Sequence, residues 1–396
     1  MSNEFQPLSG VRVVEMTHMI MGPSCGQILA YFGAEVIKVE PPTGDKTRHL
    51  TGMGRGFFPS FNRGKRSITL NLRSEAGLTA LERLLETADI LVENFRDQSF
   101  AKMGLAPDAL REKHPKLIIA SCKGFLHGPY QNRTAMDEVV QMMTGMAYMT
   151  GPTGRPLRIG SSANDIMGGL FGALAVLGAL MERRETGRGR AVRVGLFENC
   201  LMLVMQHMVQ FDLDGRAPPP MPERDFSWPV YDIFDTRDGR QIFVGAVTEG
   251  HWRLICEAMG LERLLTDSRL QSKMDQIEAR DWTIPIFAEE IAARDFDELI
   301  KMFEAAGIPF SPINRPSDMY EDPHVLRPGG LHCSHLPDGQ MFRTPGLPIE
   351  IDGATPVPSA LDVADVGDDT AAVLSELGFS SSEARAASGV DMGDPA

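Results

Sequence analysis

Short β-rich runs alternate with helical patterns along the first third of this 396-residue chain. Runs rich in Val, Ile and Leu predict strands at residues 11–16, 35–40, 66–72, 90–95 and 117–125. Intervening segments such as GPSCGQILAYFGA and EAGLTALERLLETAD predict helices. Strands joined through helices pair in parallel in a sheet that helices cover, and ligands bind beyond the carboxyl ends of the strands. The pattern therefore predicts an α/β fold, with His18, Asn94 and Phe95 at the binding edge.

The first strand-to-helix turn lacks the glycine pattern of a dinucleotide site. It reads THMIMGPSCG, without GxGxxG, and the chain contains no Walker-type phosphate loop. Those glycines normally allow the backbone to approach a pyrophosphate. A nucleotide-dependent oxidoreductase is therefore the least favoured enzyme class.

A single carboxylate stands before the longest uncharged run of the chain. Asp165 is followed by IMGGLFGALAVLGALM at residues 166–181 and then by the charged turn ERRETGRGR. This run is shorter than the roughly 20 residues that span a bilayer, so we expect a buried helix. Because Asp is a favoured N-cap and the helix dipole stabilises a carboxylate there, Asp165 is predicted to be either the cap or a nucleophile.

Composition excludes several functional classes. The formal net charge is −14, so nucleic acid and anionic membranes are repelled. The five cysteines lie far apart without metal or disulfide spacing, and His332 and His335 lack a zinc-binding pattern. The first residues, MSNEFQPLSG, lack the features of a secretory signal. We expect a cytoplasmic protein without a metal site.

Two proline-rich stretches divide the chain. RAPPPMPERDFSWP begins at residue 216, and RPGGLHCSHLPDGQMFRTPGLP begins at residue 327. Such stretches form neither regular helices nor strand ladders. They predict a large Rossmann-like domain with a parallel sheet at residues 1–215 and a smaller α+β domain at 216–325. The segment 326–396 is expected to return to the large domain.

Eight segments carry a family resemblance. They are LSGVRVVEMTHMIMGP, GAEVIKVEPPTGD, FNRGKRSITLNL, ADILVENFR with KMGL, LIIASCKGF, the Asp165 helix with ETGRG, PVYDIFDTRDG and VGDDTAAVLSELG. In this order they resemble the class III CoA-transferases, the group of formyl-CoA and carnitine CoA-transferases. The resemblance implies CoA transfer from an acyl-CoA thioester to a free carboxylic acid, with no cofactor beyond CoA as co-substrate. It also implies a homodimer of two interlocked chains.

The resemblance also assigns catalytic roles. The family's nucleophilic aspartate lies one helix length before TGRG, and Asp165 holds that position. Its attack on the thioester gives a mixed anhydride and then an aspartyl-CoA thioester. Asp137 matches an acidic family position that tunes the first carboxylate, with an exposed loop acid as the alternative. Gly168 and Gly169, or the loop FVGAVTEG, are expected to supply N–H donors to the oxyanion.

The residue before Asp137 separates this chain from a related enzyme class. Met136 stands where the similar α-methylacyl-CoA racemases use a histidine to move a proton. Because methionine cannot exchange protons, a racemase is disfavoured. An isomerase that moves CoA within one dicarboxylate and a noncatalytic CoA-binding protein remain as alternatives.

The resemblance points to a set of CoA-binding residues. They are His18, Met19, Ile20, Arg73, Asn94, Phe95, Lys102 and Met103. Arg73 and Lys102 offer cations to the ADP phosphates, while Phe95 and Met103 offer apolar surface to adenine or pantetheine. The alternatives are solvated cations and core side chains. Lys65 and Arg66 either add positive potential or pair with acidic residues.

Departures from formyl-CoA transferases bear on the substrates. Ile20 replaces a glutamine that touches the acyl group, and PPPMPERDFSWP lacks their glycine-rich flap. Formyl-CoA and oxalate are therefore not the expected pair, and we expect succinyl-CoA as donor and a small dicarboxylate as acceptor. Arg48, Arg224 and Trp228 either contact that acid or face water. Asp369 replaces the family's histidine in the tail.

Overall fold

The computed structural model describes residues 5–390, which form two compact units. The larger unit contains residues 5–222 and 324–390, and the smaller unit is Glu223–Pro323. Residues 216–222 of the first proline-rich stretch belong to the larger unit, and its remaining residues belong to the smaller one. The smaller unit therefore begins at Glu223 rather than at the predicted residue 216.

A parallel sheet forms the centre of the larger unit, as the sequence predicts, and it has six strands where the sequence indicated five. Its strands are β1 Arg12–Met16, β2 Glu35–Glu40, β3 Arg66–Thr69, β4 Ile90–Glu93, β5 Ile118–Lys123 and β6 Ala191–Gly195. They lie in the order β3-β2-β1-β4-β5-β6, with Val13 of β1 opposite Val36 of β2 and Ile90 of β4. From β1 the chain adds β2 and β3 on one side and then crosses over to add β4, β5 and β6 on the other, so the strand order reverses between β1 and β4. Doubly wound sheets bind ligands at this position.

Helices cover both faces of this sheet. Those that precede the smaller unit are α1 Met21–Tyr31, α2 Phe57–Asn62, α3 Glu75–Glu86, α4 Asp97–Lys102, α5 Pro107–Lys113, α6 Asp137–Thr144, α7 Met146–Thr150, α8 Ala163–Thr186 and α9 Leu196–Asp214. Successive strand residues point to opposite faces, so Val13 joins the core beneath α1 and α8, whereas Val14 joins the core beneath α3. Short 3-10 helices lie at Lys46–His49, Gly52–Gly56, Met221–Glu223 and Asp318–Tyr320.

Helix α8 is apolar on two sides, but only one of them is buried. Gly172 and Val176 face the core, while Leu170, Leu174 and Met181 are exposed, Leu174 by 59%. The prediction of a buried helix therefore holds for only one side of α8. Within residues 5–390, α8 alone is long and apolar enough to span a membrane, and it packs here against α1, β5 and β6.

The smaller unit pairs a three-stranded antiparallel sheet with helices. Its strands are β7 Val230–Asp235, β8 Gln241–Ala246 and β9 Phe310–Pro312, in that order. Its helices are α10 Glu249–Ala258, α11 Glu262–Leu265, α12 Lys273–Glu278, α13 Arg280–Ala292 and α14 Phe296–Ala306. Trp252, Phe287 and Phe303 are buried between these layers, so the unit has a hydrophobic core of its own.

The chain after the smaller unit contains more structure than the sequence predicts. A hairpin of β10 Leu331–His335 and β11 Met341–Pro345 lies within the proline- and glycine-rich stretch. Two terminal helices follow, α15 Thr370–Glu376 and α16 Ser381–Ser388. Ser380 and Glu383 form a capping box at the start of α16, a sequence signal that identifies this helix.

Candidate active site

Asp165 lies in the first turn of α8, but it does not cap the helix. The N-cap is Ser162, and Asp165 is the third residue after it. Among residues 5–390, no donor makes a hydrogen bond to the Asp165 carboxyl. The cap interpretation is therefore wrong. The carboxylate keeps its lone pairs while it lies at the positive end of the helix dipole.

The surroundings of Asp165 change its protonation. Burial and the negative charge of Asp137 together raise the pKa of Asp165 to about 7, although the positive charge of Arg158 lowers it. Burial and a like charge both disfavour the ionised form. A carboxylate with this pKa is partly ionised at neutral pH, and it is more basic than an ordinary aspartate. That combination suits a nucleophile.

Asp137 begins helix α6 and is tied to the loop that leads into α8. Its Oδ2 accepts hydrogen bonds from Gln141 Nε2 at 2.8 Å and Arg158 Nη2 at 3.2 Å. The Oε1 atom of buried Gln141 accepts from the backbone N–H of Ile159 at 3.0 Å. The Asp137 side chain is only 9% exposed, so the alternative of an exposed loop acid is wrong. These contacts join α6 to the start of α8.

A buried asparagine pair, which sequence reasoning missed, fixes the start of α8 from its other side. Asn199 Nδ2 of α9 donates to the backbone carbonyl of Asn164 at 2.6 Å. Both residues are buried. The residue before the candidate nucleophile is thereby held by α9, while the loop before it is held by α6.

Gly168 and Gly169 pack helices together rather than exposing N–H groups. Both lie inside α8, where each backbone N–H bonds to a carbonyl one turn earlier. A Cβ atom on Gly168 would lie 2.8 Å from Met21 Cε, and one on Gly169 would lie 2.7 Å from the Met21 backbone oxygen. The prediction that this pair supplies oxyanion donors is wrong, since the glycines allow α1 to approach α8.

A cleft of about 450 Å³ opens at the carboxyl ends of β1, β4 and β5, where the strand order reverses. Of the predicted CoA-binding residues, the cleft brings together His18, Asn94 and Phe95. Its lining does not include Met19, Ile20, Arg73, Lys102 or Met103. The Ile20 side chain is buried, and Met103 packs against the core under β3 and β4, so neither offers an open side chain there.

The cations of the cleft fall into two groups. Lys123 and Arg193 form ion pairs with Asp97 at 3.1 and 3.0 Å, so much of their charge is compensated. Arg96 and Arg133 line the same cleft and have no carboxylate partner among residues 5–390. Sequence reasoning missed both, although Arg96 directly follows the predicted Phe95. They are the cations available to an anionic ligand.

Several other candidates are used within the fold. Lys65 donates to Glu15 at 2.7 Å, and burial lowers the pKa of Lys65 to about 8. Arg66 pairs with Glu35, Glu376 and Asp369, and Arg48 pairs with Glu40. Lys65 and Arg66 therefore match the alternative in which they pair with acids. In the smaller unit, the Trp228 ring lies 4.7 Å from that of Tyr231, and the Arg224 guanidinium lies 4.7 Å from that of Phe226.

Comparisons with known proteins agree on one family. The model of CoA-transferase family III matches residues 8–370. The chain is 30% identical to succinate–glutarate CoA-transferase of Agrobacterium fabrum, over 95% of this chain and 97% of that protein. It is 33% identical to succinyl-CoA–D-citramalate CoA-transferase of Chloroflexus aurantiacus, over 84% and 85%. A solved CaiB/BaiF family protein from Brucella suis superposes with a TM-score of 0.83 at 30% identity, covering 94% of this chain and 100% of that one.

Proposed function

The chain belongs to CoA-transferase family III, and from that premise we propose that it moves CoA from an acyl-CoA thioester to a free carboxylic acid through Asp165. One observation carries the assignment of the nucleophile. Asp165 presents a carboxyl without hydrogen-bond partners whose pKa is raised to about 7. A free and basic carboxylate is what attack on a thioester carbonyl requires.

The proposed cycle has four acyl transfers and needs no redox or metal cofactor. Asp165 attacks the donor thioester, which forms a mixed anhydride and releases CoA thiolate. The thiolate attacks the aspartyl carbonyl of the anhydride, which forms aspartyl-CoA thioester and releases the donor acid. The acceptor carboxylate attacks this thioester, which forms a second anhydride and frees the thiolate again. The thiolate then attacks the acceptor carbonyl and regenerates the Asp165 carboxylate, with no net proton transfer.

Asp137 and Arg158 are proposed to adjust Asp165 rather than to exchange protons with the substrate. Each acylation of Asp165 removes a negative charge from beside Asp137. The Asp137–Arg158 ion pair that remains is neutral. The covalent intermediates are therefore relieved of a repulsion that the free carboxylate experiences.

We propose that CoA binds along the cleft that contains His18, Asn94 and Phe95. Arg96 and Arg133 supply cations to its phosphates, and the exposed Arg73 and Lys102 extend this positive surface. Met19 is proposed to remain in the site through its exposed side chain, and Ile20 and Met103 through backbone groups. Measuring CoA affinity by calorimetry tests the set. Arg133→Ala should weaken binding about three- to tenfold, whereas the exposed ion-pair variant Arg237→Ala in the smaller unit should not change it.

For substrates, we propose succinyl-CoA as donor and a small dicarboxylic acid as acceptor. The relatives are named for pairing succinate or succinyl-CoA with glutarate and D-citramalate. The test is a screen of acyl-CoA donors against dicarboxylic and monocarboxylic acids, read by mass spectrometry of the CoA products.

A separate experiment tests Asp165 as the nucleophile. The intermediate is trapped during turnover with hydroxylamine or borohydride, and the modified peptide is mapped. A label on any other residue contradicts the nucleophile assignment.

Two other reactions on this scaffold are distinguishable. Met136 is 62% exposed before Asp137 and cannot move a proton, which disfavours a racemase. Solvent deuterium appearing at the α-carbon of the acyl group would favour the racemase instead. An isomerase would keep isotopically labelled CoA on its original dicarboxylate, whereas the proposed transferase passes it to unlabelled acceptor.

We propose a homodimer in which a second copy covers the exposed apolar sides of α8 and α9. Leu170 and Leu174 are exposed on α8, and Met205, Met208 and Phe211 are exposed on α9. A patch of this kind on a folded chain favours association. Light scattering after size exclusion should give twice the chain mass, and interlocking of the two chains should slow subunit exchange.

We propose a cytoplasmic location. The cysteines are free, as is usual in a reducing compartment.

A further inference from the structure

The turn between β1 and α1 contains a residue in an unfavourable backbone conformation. Met19 has φ +64°, and Asp352 is the other non-glycine residue with positive φ among residues 5–390. A side chain in the left-handed region crowds the backbone, so residues other than glycine, asparagine and aspartate seldom adopt it. Other contacts must therefore hold Met19 in place.

Asn94 makes two hydrogen bonds to the backbone of this turn. Its Nδ2 donates to the backbone carbonyl of His18 at 2.8 Å, and its Oδ1 accepts from the backbone N–H of His18 at 3.2 Å. Asn94 directly follows β4, the neighbour of β1 in the sheet. The amide thus continues the pairing of these two strands beyond their last ladder positions.

A second group of residues, on β2 and in the segment that follows it, makes hydrogen bonds to the turn from another direction. The backbone N–H of Met19 donates to Thr47 Oγ1 at 3.1 Å, and Thr47 Oγ1 donates in turn to Asp45 Oδ1 at 2.7 Å. Buried Lys38 donates to the backbone carbonyl of Thr17 at 2.7 Å and pairs with Asp45 at 3.1 Å. The backbone of residues 17–19 is therefore held at consecutive positions from two directions.

We propose that Asn94 is a positioning residue for CoA, one that holds the His18–Met19 turn in its left-handed form instead of binding CoA with its own amide. The donor and the acceptor of that amide are both directed at the His18 backbone. The inference rests on the proposed function, because it takes the cleft that His18 and Asn94 line as the CoA site. Loosening the turn moves His18, which lines that cleft.

The experiment is a comparison of two Met19 variants in an Asn94→Ala background. Asn94→Ala should raise the Kd of free CoA and the KM for acyl-CoA about tenfold, with kcat changed less than twofold, since the affected step is binding. Adding Met19→Gly should recover most of that loss, because glycine adopts positive φ without cost. Adding Met19→Ala is the matched control, because it removes the same side chain but keeps the backbone penalty, and it should recover nothing.

Other outcomes contradict the positioning role. Equal CoA affinity with Met19→Gly and Met19→Ala, or wild-type affinity in Asn94→Ala, would show that the amide does not act through this turn. Asn94→Asp serves as a second variant if Asn94→Ala folds poorly. It keeps the acceptor for the His18 N–H but faces the His18 carbonyl with an oxygen, so it should also weaken CoA binding.

One readout is independent of CoA. Backbone amide exchange at His18 and Met19 should be faster in Asn94→Ala than in the wild type. In the Asn94→Ala background, exchange should be slower with Met19→Gly than with Met19→Ala, so that protection follows the same order as CoA affinity. If the wild-type protein binds no CoA, the proposed function fails, while this exchange measurement still decides whether Asn94 holds the turn. Unchanged exchange in Asn94→Ala overturns the inference itself.

Discussion

Among the buried charges of the larger unit, two groups differ in how their charges are balanced. Under the β1–α1 turn, the carboxylates Glu15 and Asp45 face the cations Lys38 and Lys65. At the start of α8, the carboxylates Asp137 and Asp165 share the cation Arg158, and only Asp137 is bonded to it. Burial is common to both groups. The unbalanced charge therefore distinguishes the group proposed to react from the structural one.

The largest expected effect is on turnover. Asp165→Ala should lower kcat about a thousandfold or more, because the covalent route is lost, while CoA affinity stays measurable. Asp108→Ala is a matched control, since Asp108 lies in the first turn of α5 and is exposed. Steady-state kinetics with the best donor and acceptor from the screen measure both. Substantial activity in Asp165→Ala would remove the chemical distinction between the two charge groups.

Breaking the balanced group under the β1–α1 turn should lower the free energy of unfolding. Lys65→Met leaves Glu15 with a weaker set of partners in a buried place, and removing one partner of a buried pair costs about 3–5 kcal/mol of unfolding free energy. Arg237→Met breaks an exposed pair with Asp295, which water screens, and should lower the free energy of unfolding far less. Urea denaturation compares the two variants. Equal costs would mean that the buried pair is no more than a surface contact.

Removing the extra charge should change the pH dependence of the reaction. Asp137→Asn takes away a charge that raises the pKa of Asp165, so the rise of kcat with pH should move to lower pH. In the wild type that rise should centre near pH 7, because only ionised Asp165 attacks. Glu138→Gln, at an exposed neighbouring position, should leave the profile in place. A profile that does not move with Asp137→Asn would assign the shift to burial alone.

The smallest expected effect is a gain of stability at the site. The pKa of Asp165 is raised in the folded state, so the folded protein binds a proton that the unfolded chain releases, and stability falls as pH rises from about 4 to 7. Asp165→Asn removes this penalty and should raise Tm by about 2–5 °C at pH 8. At pH 3.5 the gain should vanish. Calorimetry at both pH values measures it, and an equal gain at both would exclude an electrostatic cause.

Local sequence patterns predicted five of the six strands of the sheet and the helix that contains Asp165, because hydrophobic periodicity depends on neighbours along the chain. They failed where competition between contacts decides the outcome. The uncharged run of α8 does not indicate which side of the helix is covered. Gly168 and Gly169 were predicted to supply oxyanion donors, but they allow α1 to pack closely against α8. The second terminal helix was missed although its capping box is readable.

The sequence by itself determined a parallel α/β sheet, its binding edge and the position of one carboxylate before an apolar helix. Only the tertiary structure decided that Ser162 caps this helix, that Asp137 raises the pKa of Asp165, and that Asn94 bonds the His18 backbone. The physical reason is separation along the chain. Electrostatic and hydrogen-bond energies depend on distances in space, and those distances arise only when strands and helices far apart in sequence pack together.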